Sequence, residues 1–523
     1  MPSAEPRAHS FVATWGVACA LMLGPLLIFL RFHQLPFASA EVLAVTGLGA
    51  LAAAAVGALL ERAGTAVRAL GVGALAVLFA DLQRTTPLGI PGLIGIGVAA
   101  AAAAWTLRGV WRPIVGPVAW TFTLAAALLS GGGDSTAAGI DRPPAPRNRA
   151  LPPRLHLILD EQIGVEGIPR AFDPDGHFAR ALRDAYLSRG FSVFGRAYSR
   201  YFMSHDSFSA LFNRGDALRH SGRGRRVALE HSAYFEELQR RGYALRVLRT
   251  DYLDLCSAER GFELEHCSVS AVESPRVLPD SGLPVATRLR LLGGMLTRLS
   301  SLIPDQPVSR VSSLVAMRSL GRLREEIDQR LEPGVALIAH LMLPHFPFAY
   351  EADCTLRSDP STWTYGEPGV LHATHFSEAT RAVHYPLYLE QMACTTRRVT
   401  ALLDRLSARP ETLDSVVIVH GDHGSRITAR RPAPSNRNLL TPADLRDGFS
   451  TLFAVRRPGV PAHYDDRLLP IDALLDATLA AGPIPRGAQW QQPAEIVIED
   501  RWTRLRIPLA PFERVELRPA TGD

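Results

Sequence analysis

The chain has 523 residues, too many for one ordinary domain, and carries a net charge of +5, modest for that length. All 56 basic residues are arginine, and clusters such as Arg223, Arg225 and Arg226 read as solvated loop charge. The patterned, aromatic-interleaved basic surface that nucleic-acid binding requires is missing, which excludes that class of function.

Apolar residues make up 47 % of the chain and concentrate before residue 131. Residues 11–30, 42–60, 88–107 and 113–129 are apolar runs near the ~20 residues that span a bilayer. Residues 69–80 form a shorter run, which alone would suit an interfacial or buried helix. Arginine placement supports counting it as a span. With the N-terminus inside, Arg7, Arg62, Arg68, Arg108 and Arg112 are cytoplasmic, and Arg31 and Arg84 lie outside, the positive-inside bias. The first run lacks a small-residue cleavage site and reads as an anchor, not a removed signal peptide. About five spans over residues 1–130 then put the rest of the chain outside the cytoplasm, on an inner (cytoplasmic) membrane. Glycine and proline density in 131–153 marks a linker.

From residue 154 short apolar runs alternate with helical patterns. The strand candidates are 155–159, 191–194, 244–248, 335–343, 415–420 and 451–455. The helix candidates include 176–188, 231–241, 312–331, 380–407 and 470–480. This alternation predicts an α/β domain over 154–482, a mainly parallel sheet sandwiched by helices, with 483–523 as a C-terminal extension. Cys256, Cys267, Cys354 and Cys394 lie in this exported part, where an even number suggests disulfides. Sequential pairing closes a small loop between Cys256 and Cys267, and pins a loop to the start of a helix through Cys354 and Cys394. Cys19, in the first span, reads as a small apolar residue.

Three apolar strands end in polar residues. Residues 416–424 read Val-Val-Ile-Val-His-Gly-Asp-His-Gly, and Asp422 with His423 can offer a metal one oxygen and one nitrogen. Residues 155–159 end in Asp160 and Glu161, which equally suit a helix cap or a loop. Val335 to Leu343 is followed by Pro344-His345-Phe346-Pro347, where the prolines restrict the backbone. Before a predicted short helix running to Asn213, either Ser204 or Asp206 suits an N-cap. A serine at a helix start also sits in positive potential that favours an alkoxide and a bound phosphate. Thr287 to Ile303 mixes leucines with Arg288, Arg290 and Arg298, and suits either the bilayer surface or an amphipathic helix packed on the domain.

An acid-ended first strand, a hydroxyl some forty residues later, a Pro-His-Phe-Pro segment and a late Gly-Asp-His-Gly come in that order. Over residues 150–482 the chain resembles the sulfatase-like branch of the alkaline phosphatase superfamily. With its membrane anchor it is similar to lipoteichoic acid synthases and lipid A phosphoethanolamine transferases. The resemblance implies an alkaline phosphatase-like fold and a metal held by Asp160 or Glu161, Ser204, Asp422 and His423. It implies Ser204 as nucleophile, where related transferases usually have threonine, and His345 as a phosphate contact or proton donor. The stretch Ser204-His205-Asp206-Ser207-Phe208 lacks the proline and arginine of the sulfatase signature. His423 stands where sulfatases tend to have asparagine, and its nitrogen favours zinc or manganese over calcium. The implied activity is transfer of a phosphoryl-linked head group from a membrane lipid to an extracytoplasmic glycan or lipid acceptor. A sulfatase-type hydrolase or phosphodiesterase with the same site, and a degenerate lipid- or glycan-binding domain, are the alternatives. The arginine asymmetry predicts that reporter fusions after residue 140 are active only on the exported side; cytoplasmic reporter activity there would refute the topology.

Overall fold

The structure, a computed structural model, describes residues 5–83, 89–128, 140–143, 146–215, 227–229, 231–256, 262–297, 300, 310–363, 377–485, 493–500 and 503–510. Arg84, the Arg223, Arg225 and Arg226 cluster, residues 131–139 of the expected linker and Arg298 lie outside the described residues. The chain divides into two compact units. One comprises Met1–Ser135 with Ser274–Arg310, and the other Thr136–Glu273 with Val311–Asp523.

The helices in chain order are α1 (Glu5–Phe32), α2 (Ala40–Arg62), α3 (Thr65–Gln83), α4 (Gly89–Thr106), α5 (Gly116–Leu128), α6 (His177–Leu187), α7 (Ser204–Phe212), α8 (Ala233–Arg240), α9 (Val285–Thr297), α10 (Ser312–Arg330), α11 (Glu378–Ser407), α12 (Pro442–Phe449) and α13 (Ile471–Ala477). Among the described residues, four helices of the first unit, within α1 to α4, are long and apolar enough to cross a membrane. The run 69–80 lies in one of them, because the helix starts before it at Thr65. The fifth, α5, is shorter and runs on from the π-helical turn Trp111–Val115. Small residues let these helices approach closely: a Cβ on Gly73 of α3 would stand 2.6 Å from the Gly97 carbonyl oxygen of α4.

Residues 274–310 belong to this first unit, in which α9 packs against α2. Arg276 Nη1 donates to Gln34 Oε1 at 2.6 Å, Arg288 Nη1 lies 3.1 Å from Glu41 Oε2, and Ser300 Oγ donates to Asp81 Oδ2 at 2.5 Å. Gln34 follows α1, Glu41 begins α2 and Asp81 nears the end of α3. All three therefore mark one end of the helices, the end that an internal N-terminus places outside.

The strands are β1 (Ile140–Asp141), β2 (Arg154–Leu159), β3 (Ser192–Tyr198), β4 (Val227–Ala228), β5 (Ala244–Thr250), β6 (Leu253–Asp254), β7 (His266–Ser270), β8 (Val335–Leu341), β9 (Val416–Gly421), β10 (Phe453–Arg456), β11 (His463–Pro470), β12 (Glu495–Glu499) and β13 (Arg504–Pro508). Nine form one sheet in the order β1-β7-β5-β8-β2-β9-β10-β3-β11. The centre, β7 to β9, is parallel, and β10 runs antiparallel between β9 and β3. Every residue of β2, β8 and β9 is buried, as expected for strands covered on both faces.

Alternation sorts their side chains. Leu155, Leu157, Leu159, Leu337, Val417 and Val419 meet α6, α10 and α11 on one face. Ile158, Ile338 and Ile418 meet Phe208, Phe212 and Phe235 from α7 and α8 on the other. The C-terminal extension contributes the β12–β13 hairpin, whose Ile496, Ile498 and Ile507 pack with Tyr198, Phe202 and Phe449.

The cysteines pair as Cys256–Cys267 and Cys354–Cys394. Cys394 sits in the middle of α11, not at a helix start, because that helix begins at Glu378 and runs on through Pro386. Sequence separations of 11 and 40 residues give a stability test. Loop-closure entropy predicts that the double substitution of Cys354 and Cys394 by serine lowers unfolding free energy by about 1 kcal/mol more than that of Cys256 and Cys267. Urea titrations measure the difference, and equal losses would refute the entropic account.

Candidate active site

Parallel β2, β8 and β9 deliver their carboxyl ends to one edge of the sheet, where open α/β sheets place ligands. The Asp160 N–H donates to the Leu341 carbonyl at 2.9 Å, and the Asp422 N–H to the Leu159 carbonyl at 3.3 Å. Because Ile158 and Ile418 face α7, Asp160, two residues on, and Asp422, four residues on, emerge on the same side. There α7 presents Ser204, and Ser204 Oγ lies 2.9 Å from His423 Nε2.

The glycines around Asp422 and His423 allow this approach. A Cβ on Gly421 would collide with the Gln162 carbonyl oxygen and Thr451 Oγ1, and one on Gly424 with the Asp447 carbonyl oxygen. Asp422 Oδ1 accepts from the backbone N–H of Glu161 at 3.0 Å and of His423 at 2.9 Å. Its Oδ2 lies 3.2 Å from His423 Nε2 and accepts no hydrogen bond. His423 Nδ1 faces the Gly424 carbonyl at 3.0 Å, a contact only a protonated Nδ1 makes. Nε2 is the nitrogen turned toward Ser204 and Asp422.

Ser204 is the first residue of α7, and Met203 holds the N-cap position without a side-chain bond. Neither Ser204 nor Asp206 caps the helix. The Ser204 hydroxyl turns to His423, and Asp206 Oδ2 lies 2.8 Å from His205 Nε2. Ser207 Oγ donates to the Asp422 carbonyl at 2.5 Å and lies 2.9 Å from Ser199 Oγ. That hydroxyl is committed to holding the loop, and Ser209 is fully buried.

Asp160 Oδ2 lies 3.2 Å from His340 Nε2, and its Oδ1 has no hydrogen-bond partner. Glu161 takes a left-handed backbone, φ 62°, and its Oε1 stands 3.5 Å from both His345 Nε2 and Arg426 Nη1. His345 Nδ1 meets the Phe346 carbonyl at 2.6 Å. All six residues singled out from the sequence are thus brought together: the ligating atoms of Asp160, Asp422 and His423 lie within 4.8 Å of one another, as do those of Asp160, Glu161 and His345, and Ser204 meets His423.

Three buried carboxylates crowd this space. Burial opposes the charge on Asp160, yet His345, His340 and His423 hold its carboxyl below the usual range. Burial pushes Glu161 well up, Arg426 opposes, and Asp160 and Asp422 add to the rise. Burial and then Asp160 raise Asp422, against His423. Two carboxylate oxygens without donors, an imidazole nitrogen and a hydroxyl, on one buried spot, fit a divalent cation of the mixed oxygen–nitrogen kind.

Several neighbours carried no motif. His340 lies inside the apolar run of β8, and Arg426 two residues past Gly424. Tyr252 is pushed up to about 12 by burial, against Arg426 and with Asp160 and Asp422, which places its phenol in the same field. Below the site His156 and His420 meet Nε2 to Nε2 at 2.7 Å, fully buried, so one donates and the other accepts. Alternation along β2 and β9 was the available signal for them.

No family model matches the chain, and no curated protein matches it. Solved structures resemble it. The phosphonate monoester hydrolase of Agrobacterium radiobacter shares 13 % identity over 66 % of this chain and 80 % of its own, with a TM-score of 0.42. The C-terminal periplasmic domain of EcEptC from Escherichia coli, in complex with Zn, shares 12 % over 64 % and 85 %, with 0.35. A protein in the alkaline phosphatase superfamily from Vibrio parahaemolyticus shares 13 % over 72 % and 84 %, with 0.36. These are likenesses alone, and the functional reading stands on the site's own geometry.

The donor set predicts about one tightly bound zinc or manganese per full-length chain. Elemental analysis should show it lost in Asp422→Ala, and the metal affinity of His340→Ala about 10–100-fold weaker, because His340 orients Asp160. Full metal retention in Asp422→Ala would show the pair is structural.

Proposed function

We propose that this chain is a membrane-anchored, metal-dependent transferase that moves a phosphoryl-linked head group from a lipid donor to an extracytoplasmic acceptor through a Ser204-linked intermediate. Residues 1–130 serve as the anchor in the cytoplasmic membrane, and residues 154–482 carry the chemistry outside. The observation that carries the reading is the Ser204 hydroxyl, 2.9 Å from His423 Nε2 at the start of α7, beside two carboxylate oxygens that lack donors.

Asp160 or Glu161, Asp422, His423 and Ser204 would hold the metal. A divalent metal held there lowers the pKa of a ligating hydroxyl and draws charge from a phosphoryl oxygen. Ser204, its hydroxyl proton released to water, attacks the phosphorus of a phosphodiester through Oγ, and the bond from phosphorus to the lipid oxygen breaks. The first peptide units of α7 add positive potential at that point. His345, fixed through Nδ1 on the Phe346 carbonyl, presents Nε2 beside Glu161. As the imidazolium it donates its Nε2 proton to the departing lipid oxygen, then regains one from the acceptor hydroxyl that displaces Ser204. Arg426, within reach of Glu161, is placed to meet a phosphoryl oxygen.

A hydrolase would use the same residues with water as acceptor. The apolar anchor favours a lipid donor, and turnover that depends on an added acceptor separates the two reactions. Ser204→Ala should abolish turnover and leave fold and most metal binding intact, while His345→Gln slows it by about 10²–10⁴-fold. Mass spectrometry under slow turnover should find the head group on Ser204. Retained activity in Ser204→Ala without an adduct would refute the covalent route.

A further inference from the structure

Apart from the metal cluster, the second unit holds a cavity of about 220 Å3 whose lining includes Arg200, Tyr201, Arg214, Glu495, Val497 and Arg506. Its walls come from the loop between β3 and α7, from the turn after α7, and from the β12–β13 hairpin. The Val497 N–H donates to the Arg200 carbonyl at 2.8 Å, so hairpin and loop are stitched together at the cavity. Tyr201 is three residues before Ser204, a stretch that spans at most about 11 Å.

Three guanidinium groups in one cavity need an explanation. Each has a carboxylate. Arg200 Nε lies 3.1 Å from Asp472 Oδ1, Arg214 Nε 3.2 Å from Asp476 Oδ1, and Arg506 Nη1 4.0 Å from Glu495 Oε2. In Arg200 and Arg214 the engaged atom is Nε, and no hydrogen bond among the described residues takes up their terminal Nη groups. A guanidinium has five N–H donors in a rigid fork. Binding through Nε leaves four for a ligand and holds the fork in place. The turn reinforces this: Gly215 has φ 95°, and a Cβ there would stand 2.9 Å from Asp472 Oδ2. The acids offset the net charge, so what the cavity offers is directed donors more than bulk potential. Planar forks of this kind match the oxygens of phosphate or carboxylate.

We infer that this cavity is an oxyanion subsite, taking a phosphate or carboxylate that a substrate carries apart from its reacting phosphodiester. Its binding of an anion is independent of the reaction proposed at Ser204, whereas the assignment of that anion to a substrate rests on that reaction. The reaction then acts on molecules with two anionic groups, such as a phosphorylated glycan acceptor or a lipid with a second phosphate.

Calorimetry on the full chain in zwitterionic nanodiscs, with inorganic phosphate as probe, tests this. Arg214 and Arg506 are 59 % and 74 % exposed, so R214Q/R506Q leaves the core untouched. Phosphate should bind about tenfold or more weakly to R214Q/R506Q than to wild type, from the loss of charge-assisted hydrogen bonds. The same component should persist in Asp422→Asn, which impairs the metal cluster. Competition by phosphatidic acid in the nanodisc identifies a lipid source, and competition by glucose 1-phosphate a soluble one. Equal phosphate binding in wild type and R214Q/R506Q, or competition by neither compound, overturns the subsite. If Ser204→Ala keeps its activity while R214Q/R506Q loses phosphate, the reaction reading fails and the anion site stands.

Discussion

Asp422 divides its two oxygens, and the site depends on that division. Oδ1 takes the N–H groups of Glu161 and His423, which ties the end of β9 to the end of β2 and sets the plane of the carboxylate. Oδ2 is left without a donor beside His423 Nε2. A buried carboxylate oxygen without a donor is costly unless a cation meets it. Electrostatics and strand register are therefore one constraint here. Sliding β9 past β2 by a single residue would carry Asp422 to the α10–α11 face and leave His423 facing α7. The buried pair His156 and His420 opposes such a slip, since each imidazole has the other as partner across the same two strands.

Much of this was legible in the chain. The runs at 155–159, 335–343 and 415–420 were β-branched or leucine-rich and continuous, the pattern of strands buried on both faces, and the structure forms β2, β8 and β9 there. Their order in the sheet puts the Asp160, His345 and Asp422 loops side by side. What escaped were strands without that signature. β11 reads His-Tyr-Asp-Asp-Arg-Leu-Leu-Pro and is half-exposed at the sheet edge, so its charges hide its type. β7 is short and polar, and β12 and β13 lie in what read as an extension.

The site was legible wherever a strand ended and opaque wherever contact came from across the fold. Asp160, Glu161, His345, Asp422 and His423 all follow strands. His340 is hidden within one, and its meaning depends on Asp160 standing beside it. Tyr252 and Arg426 come from loops whose positions the local sequence does not specify. Ser204 was found as a helix-start residue, but the cap role proved wrong because His423 offers its hydroxyl a better partner than the helix does.

The stretch 274–310 has a consequence for how the molecule can be taken apart. The chain passes between the two units near residue 135, again near 273 and again near 310. A protease that cuts only near residue 135 leaves the second unit tethered through two further passages, so its release takes three cuts. Expression from residue 154 onward carries α9 along without the spans. Leu291, Leu292 and Met295, buried in the intact chain, then face water, and Arg288 loses Glu41. The second unit is better isolated by bridging residue 273 to 311 with a short flexible loop.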